Sequence, residues 1–234
     1  MTRKIAFLCS GGGGNLRFVA QAITVGLLGD ARLCIVLTDR ECLANQFARD
    51  QGISTQVMDF SRAEQINVSA ALADAGADIV VTNVHRILGP ALVEAFAGKL
   101  VNLHYSLLPA YGGMIGTAPI KAALAEGAKF IGVTAHDVTI EVDAGRPIAQ
   151  AVIPTDPEDT VDTVMDTVFR AGCLTLLSAL ATPTDMAGYS NCRLHDREVA
   201  FNPPLPFSTS AFDDDFWQTL ARYPSHATIS RPRS

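Results

Sequence analysis

The chain has 234 residues, 48% of them hydrophobic, and a mean hydropathy of +0.22. That is apolar material for one large core, or one core with an extension, and it excludes disorder throughout. A net charge of -6, a pI near 5.3 and the lack of a basic run set nucleic acid aside as a partner, while a small anionic ligand held by local groups stays open.

In chain order, KIAFLCS predicts a buried strand ending at glycines. NLRFVAQAITVGLLG follows with Leu16, Val19, Ala20, Ile23 and Leu27 on one helical face. ARLCIVLTD is the next strand, ECLANQFARDQG the next helix, and STQVMDF a short strand. SRAEQINVSAALADAG predicts a helix with Ser61 as its capping residue, ahead of Glu64. ADIVVTNV is another buried run, and GPALVEAFAG a helix with Pro90 early and Gly98 just past its end. KLVNLHYS is the fifth strand. Continuous apolar strands alternating with helices predict a doubly wound, Rossmann-like α/β fold, its mostly parallel sheet covered by helices on both faces.

Past residue 117 the pattern changes. APIKAALAEG is a helix, and FIGVTAHDV and RPIAQAVIPT are strands around a GRP turn, predicting an antiparallel pair toward the C-terminal side. PEDTVDTVMDTVFRAGCLTLLSAL is a long helix with Val161, Val164, Met165, Val168, Cys173 and Leu176 on its apolar side. From about residue 182 the chain is rich in Pro, Ser, Asp and aromatics, with a strand or two near CRLHDREVAF and no periodicity beyond NPPLPFSTSAFDDDFW. The expected organisation is a catalytic domain over 1–180 and an ill-defined extension over 181–234, with no linker between independent domains.

Five cysteines in no CxxC or CxxH spacing point to free buried thiols in a reducing compartment, not to disulfides or structural zinc, and no metal is expected. The apolar run near the N-terminus is too short for a signal or a span, and no later segment reaches the roughly 18 uninterrupted apolar residues a span needs. The expectation is a cytoplasmic protein with no membrane partner.

Parallel sheets bind ligands beyond the carboxyl ends of their strands. Here those ends carry Cys9 to Asn15, Thr82 to Arg86 and Asn102 to Ser106. In CSGGGGNL, glycines at a strand-to-helix turn let backbone N–H groups approach an anion, and phosphate is the natural guess. The spacing is neither GxGxxG nor GxxxxGK[ST], which weakens dinucleotide and nucleoside-triphosphate readings. The plainer reading is a tight turn that needs glycine.

Asn102 and His104 share one side of their strand, and Val101 and Leu103 the other. Two polar side chains on a buried strand would cost roughly 1–3 kcal/mol each if unsatisfied. A satisfied structural pair is one reading. His136 and Asp143, near the antiparallel pair, favour another. A His beside a carboxylate keeps its proton more readily and can stabilise an oxyanion, Asn adds a neutral donor, and the carboxylate can take up protons. No Ser or Cys stands in a nucleophile setting. The set suits direct attack by a substrate amine on an activated acyl group.

These residues also carry a resemblance. NLHYSLLP resembles the Asn-x-His-Pro-Ser-Leu-Leu-Pro signature of folate-dependent formyltransferases. GGGGNL, VHRIL and HDVTIEVDAGRPIAQ resemble that family's glycine loop, the segment after its fourth strand and its catalytic Asp loop, in order, across residues 4 to about 180. Among the branches the chain most resembles glycinamide ribonucleotide (GAR) formyltransferases. The resemblance implies transfer of a formyl group from 10-formyltetrahydrofolate, the donor cosubstrate, to a primary amine, GAR in purine biosynthesis being the leading acceptor. It implies Asn102 and His104 on the oxyanion, Asp143 holding His104 and relaying the amine's proton, and His136 in support near the substrate. Arg86, Ile87 and Leu88 would border the pterin, with Val138, Ile140 and Glu141 among the loop residues giving backbone contacts. Gly13, Gly14 and Asn15 would hold a substrate phosphate, with Arg62 reaching in, and Ser106 would bond a loop or the substrate. For Arg62 a helix-surface role is the equal alternative.

The chain also departs from that pattern. Gly14 stands where a Ser hydroxyl usually touches phosphate, Tyr105 replaces a Pro, and Arg146 stands where Pro is usual. AYGGMIGTAPI differs from the usual GAR-enzyme loop and is closer to that of methionyl-tRNA formyltransferases. Phe169 falls where the GAR branch offers a carboxylate to its substrate. These departures keep a second reading open: the same donor chemistry on another amine, such as an amino sugar or a specialised metabolite. A formyl hydrolase and a non-catalytic folate binder are the remaining readings. For the tail, covering the site and a homodimer contact are both open uses.

Overall fold

The computed structural model describes residues 2–181 and 187–222; part of the expected C-terminal extension lies outside the described residues. Its first half alternates β1 (Arg3–Cys9), α1 (Gly14–Thr24), β2 (Ala31–Thr38), α2 (Leu43–Asp50), β3 (Thr55–Val57), α3 (Gln65–Asp74), β4 (Ile79–Asn83), α4 (Pro90–Ala95) and β5 (Leu100–His104). Then come α5 (Ala118–Ala125), β6 (Phe130–Asp137), β7 (Pro147–Pro154), α6 (Val161–Leu180), β8 (Ser190–Leu194), β9 (Arg197–Asn202), a 3-10 turn at Thr209–Ala211 and α7 (Asp214–Arg222). Among the described residues the strands form one sheet in the order β3-β2-β1-β4-β5-β6-β7-β9-β8.

From β3 to β5 every pairing is parallel, and from β5 onward every pairing is antiparallel. The continuous apolar runs follow from this. In β1, Ile5, Phe7 and Cys9 face one core while Ala6 and Leu8 face the other, so neither side can be polar. The first core holds α1, α2, α5, α6 and α7; the second, smaller one holds α3 and α4. Strand order reverses at β1, which has β2 on one side and β4 on the other, and a crevice opens there beyond the carboxyl ends.

Helix α6 is long and apolar enough to cross a membrane, but most of it lies inside the fold, against β6 and β7. Thr160 caps it, accepting the Thr163 N–H at 3.3 Å.

Several local expectations change. Helix α1 stops at Thr24 because Gly26 turns left-handed at φ 83°, so Leu27 lies past the helix. Ser61 does not cap α3: its hydroxyl goes to Asp59 at 3.1 Å, and the helix begins later, at Gln65. The tail holds more structure than its composition suggests. The hairpin β8–β9 joins the same sheet through β7, and Trp217 of α7 stacks on Phe18 of α1 with ring centroids 5.6 Å apart. Arg170 of α6 closes this seam: its guanidinium lies 5.2 Å from the Trp217 ring and 2.8 Å from Asp166.

Candidate active site

A cavity of about 440 Å³ lies at the carboxyl ends of β1, β4 and β5. One wall is the glycine loop that ends β1 and starts α1. The other is made by the ends of β4 and β5, the loop after β6 and the 113–116 segment.

Strand β5 sets the chemistry. Its parallel edge faces β4, and its antiparallel edge faces β6 with Asn102 directly opposite His136 and His104 opposite Thr134. The Asn102–His136 contact is therefore written into the sheet register. Asn102 Nδ2 lies 3.2 Å from His136 Nε2. The other ring nitrogen, Nδ1, is 2.8 Å from the Asp137 carbonyl oxygen, an acceptor, so the hydrogen of neutral His136 sits on Nδ1. Burial pushes His136 below the usual imidazole range, against the opposing pull of the Asp137 carbonyl and Asp143, which favours that neutral form. Nε2 is then an acceptor for the Asn102 amide. Thr82, on β4, donates to Asn102 Oδ1 at 3.3 Å. With its oxygen and one N–H so held, Asn102 keeps its second N–H for the cavity.

His104 is gripped from two sides. Nδ1 is 3.4 Å from Asp143 Oδ2, and Nε2 is 3.1 Å from the Tyr111 carbonyl oxygen. Both neighbours are acceptors, one for each ring nitrogen. Asp143 and Tyr111 each adopt a left-handed backbone, at φ 54° and 59°, uncommon for residues other than glycine and costly enough to cluster at functional sites. Asp143 Oδ2 also accepts the Gly113 N–H at 2.7 Å, and Oδ1 lies 3.6 Å from His136 Nε2. The loop reaches this position through Gly145, where a Cβ would fall 1.6 Å from the Asp137 carbonyl oxygen.

On the opposite wall, Ser10 accepts the His85 N–H at 2.8 Å, tying the segment after β4 to the glycine loop. Asp39 locks this corner. It pairs with Arg40 at 2.9 Å and Arg86 at 3.1 Å, and these bonds, Arg40 first and then Ser10 and Arg86, hold its carboxyl down to about 2 against a smaller effect of burial. The Arg86 guanidinium is thus engaged with Asp39 at the cavity edge.

Of the residues singled out from sequence, Gly13, Gly14, Asn15, Arg86, Ile87, Leu88, Asn102, His104, His136, Val138, Ile140 and Asp143 all line this cavity. Three do not. Arg62 is exposed in the turn ahead of α3, where the late helix start leaves it. Ser106 is buried and spends its hydroxyl hydrogen on the Ala110 carbonyl at 2.6 Å, so it shapes the loop. Glu141 is exposed, and its carbonyl accepts from Thr139 within its own loop at 2.9 Å. Sequence reasoning assigned no role to Thr82 or Asp39. A hydroxyl ending the otherwise apolar run IVV was the available signal for Thr82; Asp39 had none beyond its place at a strand end.

The residues 3–180 match the family model described as formyl transferase. The chain is 33% identical over 190 residues to phosphoribosylglycinamide formyltransferase of Mycobacterium tuberculosis, spanning 76% of this chain and 85% of that one. It is 34% identical over 168 residues to the chloroplastic phosphoribosylglycinamide formyltransferase of Vigna unguiculata, spanning 68% of this chain but only 54%, about half, of that longer protein. Among solved structures, glycinamide ribonucleotide transformylase 1 from Symbiobacterium toebii superposes with a TM-score of 0.71 at 29% identity, covering 76% of this chain and 86% of that one.

Proposed function

The chain belongs to the formyl transferase family, and on that premise we propose that it moves a formyl group from 10-formyltetrahydrofolate to a primary amine. Glycinamide ribonucleotide is the acceptor that the relatives' names support. The observation that carries the reading is the grouping of Asn102, His104 and Asp143 in one cavity, with His104 3.4 Å from Asp143.

The donor fits what surrounds that group. Ile87, Ile140 and Val142 are exposed apolar side chains lining the cavity, suited to the faces of a flat heteroaromatic ring. The backbone of the loop after β6 offers amides and carbonyls at its edge. When the acceptor amine adds to the formyl carbon, negative charge develops on the formyl oxygen. The spare N–H of Asn102 is one donor for it, and the Nε2–H of His104 becomes the second by leaving the Tyr111 carbonyl it meets at 3.1 Å. Asp143 holds His104 and takes up the proton the amine loses, directly or through one water; collapse of the adduct then breaks the bond between the formyl carbon and the folate nitrogen, which takes that proton and leaves as tetrahydrofolate. No side-chain nucleophile is needed, because the amine itself attacks. On the other wall, the backbone N–H groups of Gly13 and Gly14 at the start of α1 suit the acceptor's phosphate.

The test is a tetrahydrofolate-release assay with 10-formyltetrahydrofolate and candidate acceptors. Release that depends on glycinamide ribonucleotide, with a formylated product of matching mass, is expected. Equal release without any amine would mean that the formyl group goes to water.

A further inference from the structure

The two walls differ in how they can read a substrate, and the difference centres on Phe169. This residue is on α6 and its ring lines the cavity. A Cβ on Gly14 would lie 2.9 Å from Cε2 and 3.1 Å from Cζ of that ring. Glycine at 14 is therefore what lets the aromatic ring press against the start of α1.

The polar groups nearby are already engaged. Asn15 is buried, and its side-chain oxygen accepts from Cys173 Sγ at 3.6 Å. The charged neighbours on α6, Asp166 and Arg170, pair with each other at 2.8 Å, and Arg170 turns to Trp217. Met114 and Ile115, both exposed apolar side chains, also line the cavity. On the glycine loop the Phe169 ring meets Gly14, which brings no side chain, while the polar side chains of Asn83 and His85 line the cavity from the end of β4 and the segment after it.

We propose that Phe169 makes this chain blind to hydroxyl groups on the middle of its acceptor. The acceptor class is a primary amine carrying an anionic group at its far end, joined by a stretch recognised through its apolar face, with sugar hydroxyls dispensable. The inference rests on the acceptor-binding reading given above. Its physical basis is an asymmetry of recognition. A site built to bond a hydroxyl rejects the analogue lacking it by roughly 10⁴–10⁵, whereas an apolar wall discriminates weakly, by about 10² at most.

Three acceptors, offered with 10-formyltetrahydrofolate to the full chain, decide it. They are glycinamide ribonucleotide, its 2,3-dideoxy analogue, and glycinamide joined to an alkyl phosphate of the same span. The dideoxy analogue is expected to match or exceed glycinamide ribonucleotide in kcat/KM, to within about 10-fold. Turnover of glycinamide ribonucleotide with the dideoxy analogue down by more than about 100-fold overturns the inference and leaves the proposed acceptor standing. Turnover of the hydroxyl-free amines alone overturns that acceptor and supports the inference. If none of the three is formylated, both fall.

Variants sharpen the same test. Gly14→Ala drives a Cβ to 2.9 Å from the ring, displacing it, and should raise acceptor KM by about 10-fold with little change in kcat. Adding Phe169→Leu to Gly14→Ala should bring KM back down. Failure of that rescue, with both proteins folded by circular dichroism, would show that the ring does not set the acceptor wall.

Discussion

The two walls of the cavity are built by opposite means. At the ends of β4, β5 and β6, side chains do the work: Thr82, Asn102, His136, Asp143 and His104 form a chain of contacts between 3.2 and 3.6 Å. At the glycine loop, side chains are missing or committed elsewhere, and backbone and an aromatic ring are what a ligand meets. The first arrangement fixes one reaction geometry. The second fixes little more than charge and shape. On the function proposed above, the difference teaches that a transfer reaction and its acceptor can be specified by separate parts of one cavity, with different tolerance to change.

The comparison can be broken most directly at His104. His104→Ala should lower kcat by roughly 10²–10³, the range for losing an oxyanion donor, while KM for donor and acceptor stays within about 3-fold. A steady-state assay checks this, and a near-normal kcat would mean that the polar wall is not the reacting one. Next in size is the proposed donor slot. Ile140→Ser should raise KM for 10-formyltetrahydrofolate by about 10-fold, as expected when roughly 1.5 kcal/mol of apolar burial is lost on binding, and leave acceptor KM alone. Smaller still is Thr82→Val, which frees the Asn102 amide to turn over. Loss of one bond worth about 0.5–1.5 kcal/mol predicts a 2- to 10-fold fall in kcat, with Thr82→Ser restoring it. If valine and serine behave alike, Thr82 only fills space.

The smallest effect is on pH dependence of stability. Burial lowers the folded-state pKa of His136 below the unfolded value of about 6.5. As pH falls below that value the unfolded chain takes up the proton first, so stability declines until the folded-state pKa is passed. The same proton would sit on Nε2 and remove the acceptor that Asn102 uses. The urea midpoint should therefore fall between pH 7.5 and 5.5 more steeply in the natural protein than in His136→Asn. Parallel slopes would mean that His136 is not held neutral.

The polar wall was largely legible before the fold was known. Alternation in VNLH placed Asn102 and His104 on one side of a strand, and apolar runs broken by helices placed that strand in a parallel sheet. The other wall was legible as a glycine turn suited to phosphate, with Phe169 brought to it by the family resemblance alone. That Phe169 lies against Gly14 depends on where α6 crosses the start of α1, which no local pattern encodes. The tail was hidden for a related reason. Helix α7 is nine residues long, and its apolar contacts come from Phe216, Trp217 and Leu220, too few to establish a period. Its order comes from Phe18 and Arg170, distant in sequence. Arg62 and Glu141 came from the family resemblance alone, and the turns before α3 and after β6 leave both side chains exposed.

Strand β5 has a partner on each edge, parallel on one and antiparallel on the other. The consequence is one of lifetime. Val101 is paired on both edges and residues 102–104 on the β6 edge, so the Val101 amide should be among the slowest to exchange with deuterium, opening only with the whole molecule. The 112–116 segment has no such pairing, and its Gly113 N–H hangs on the single carboxylate of Asp143. Removing that carboxylate should let the segment's protection decay in far less time while β5 keeps its clock.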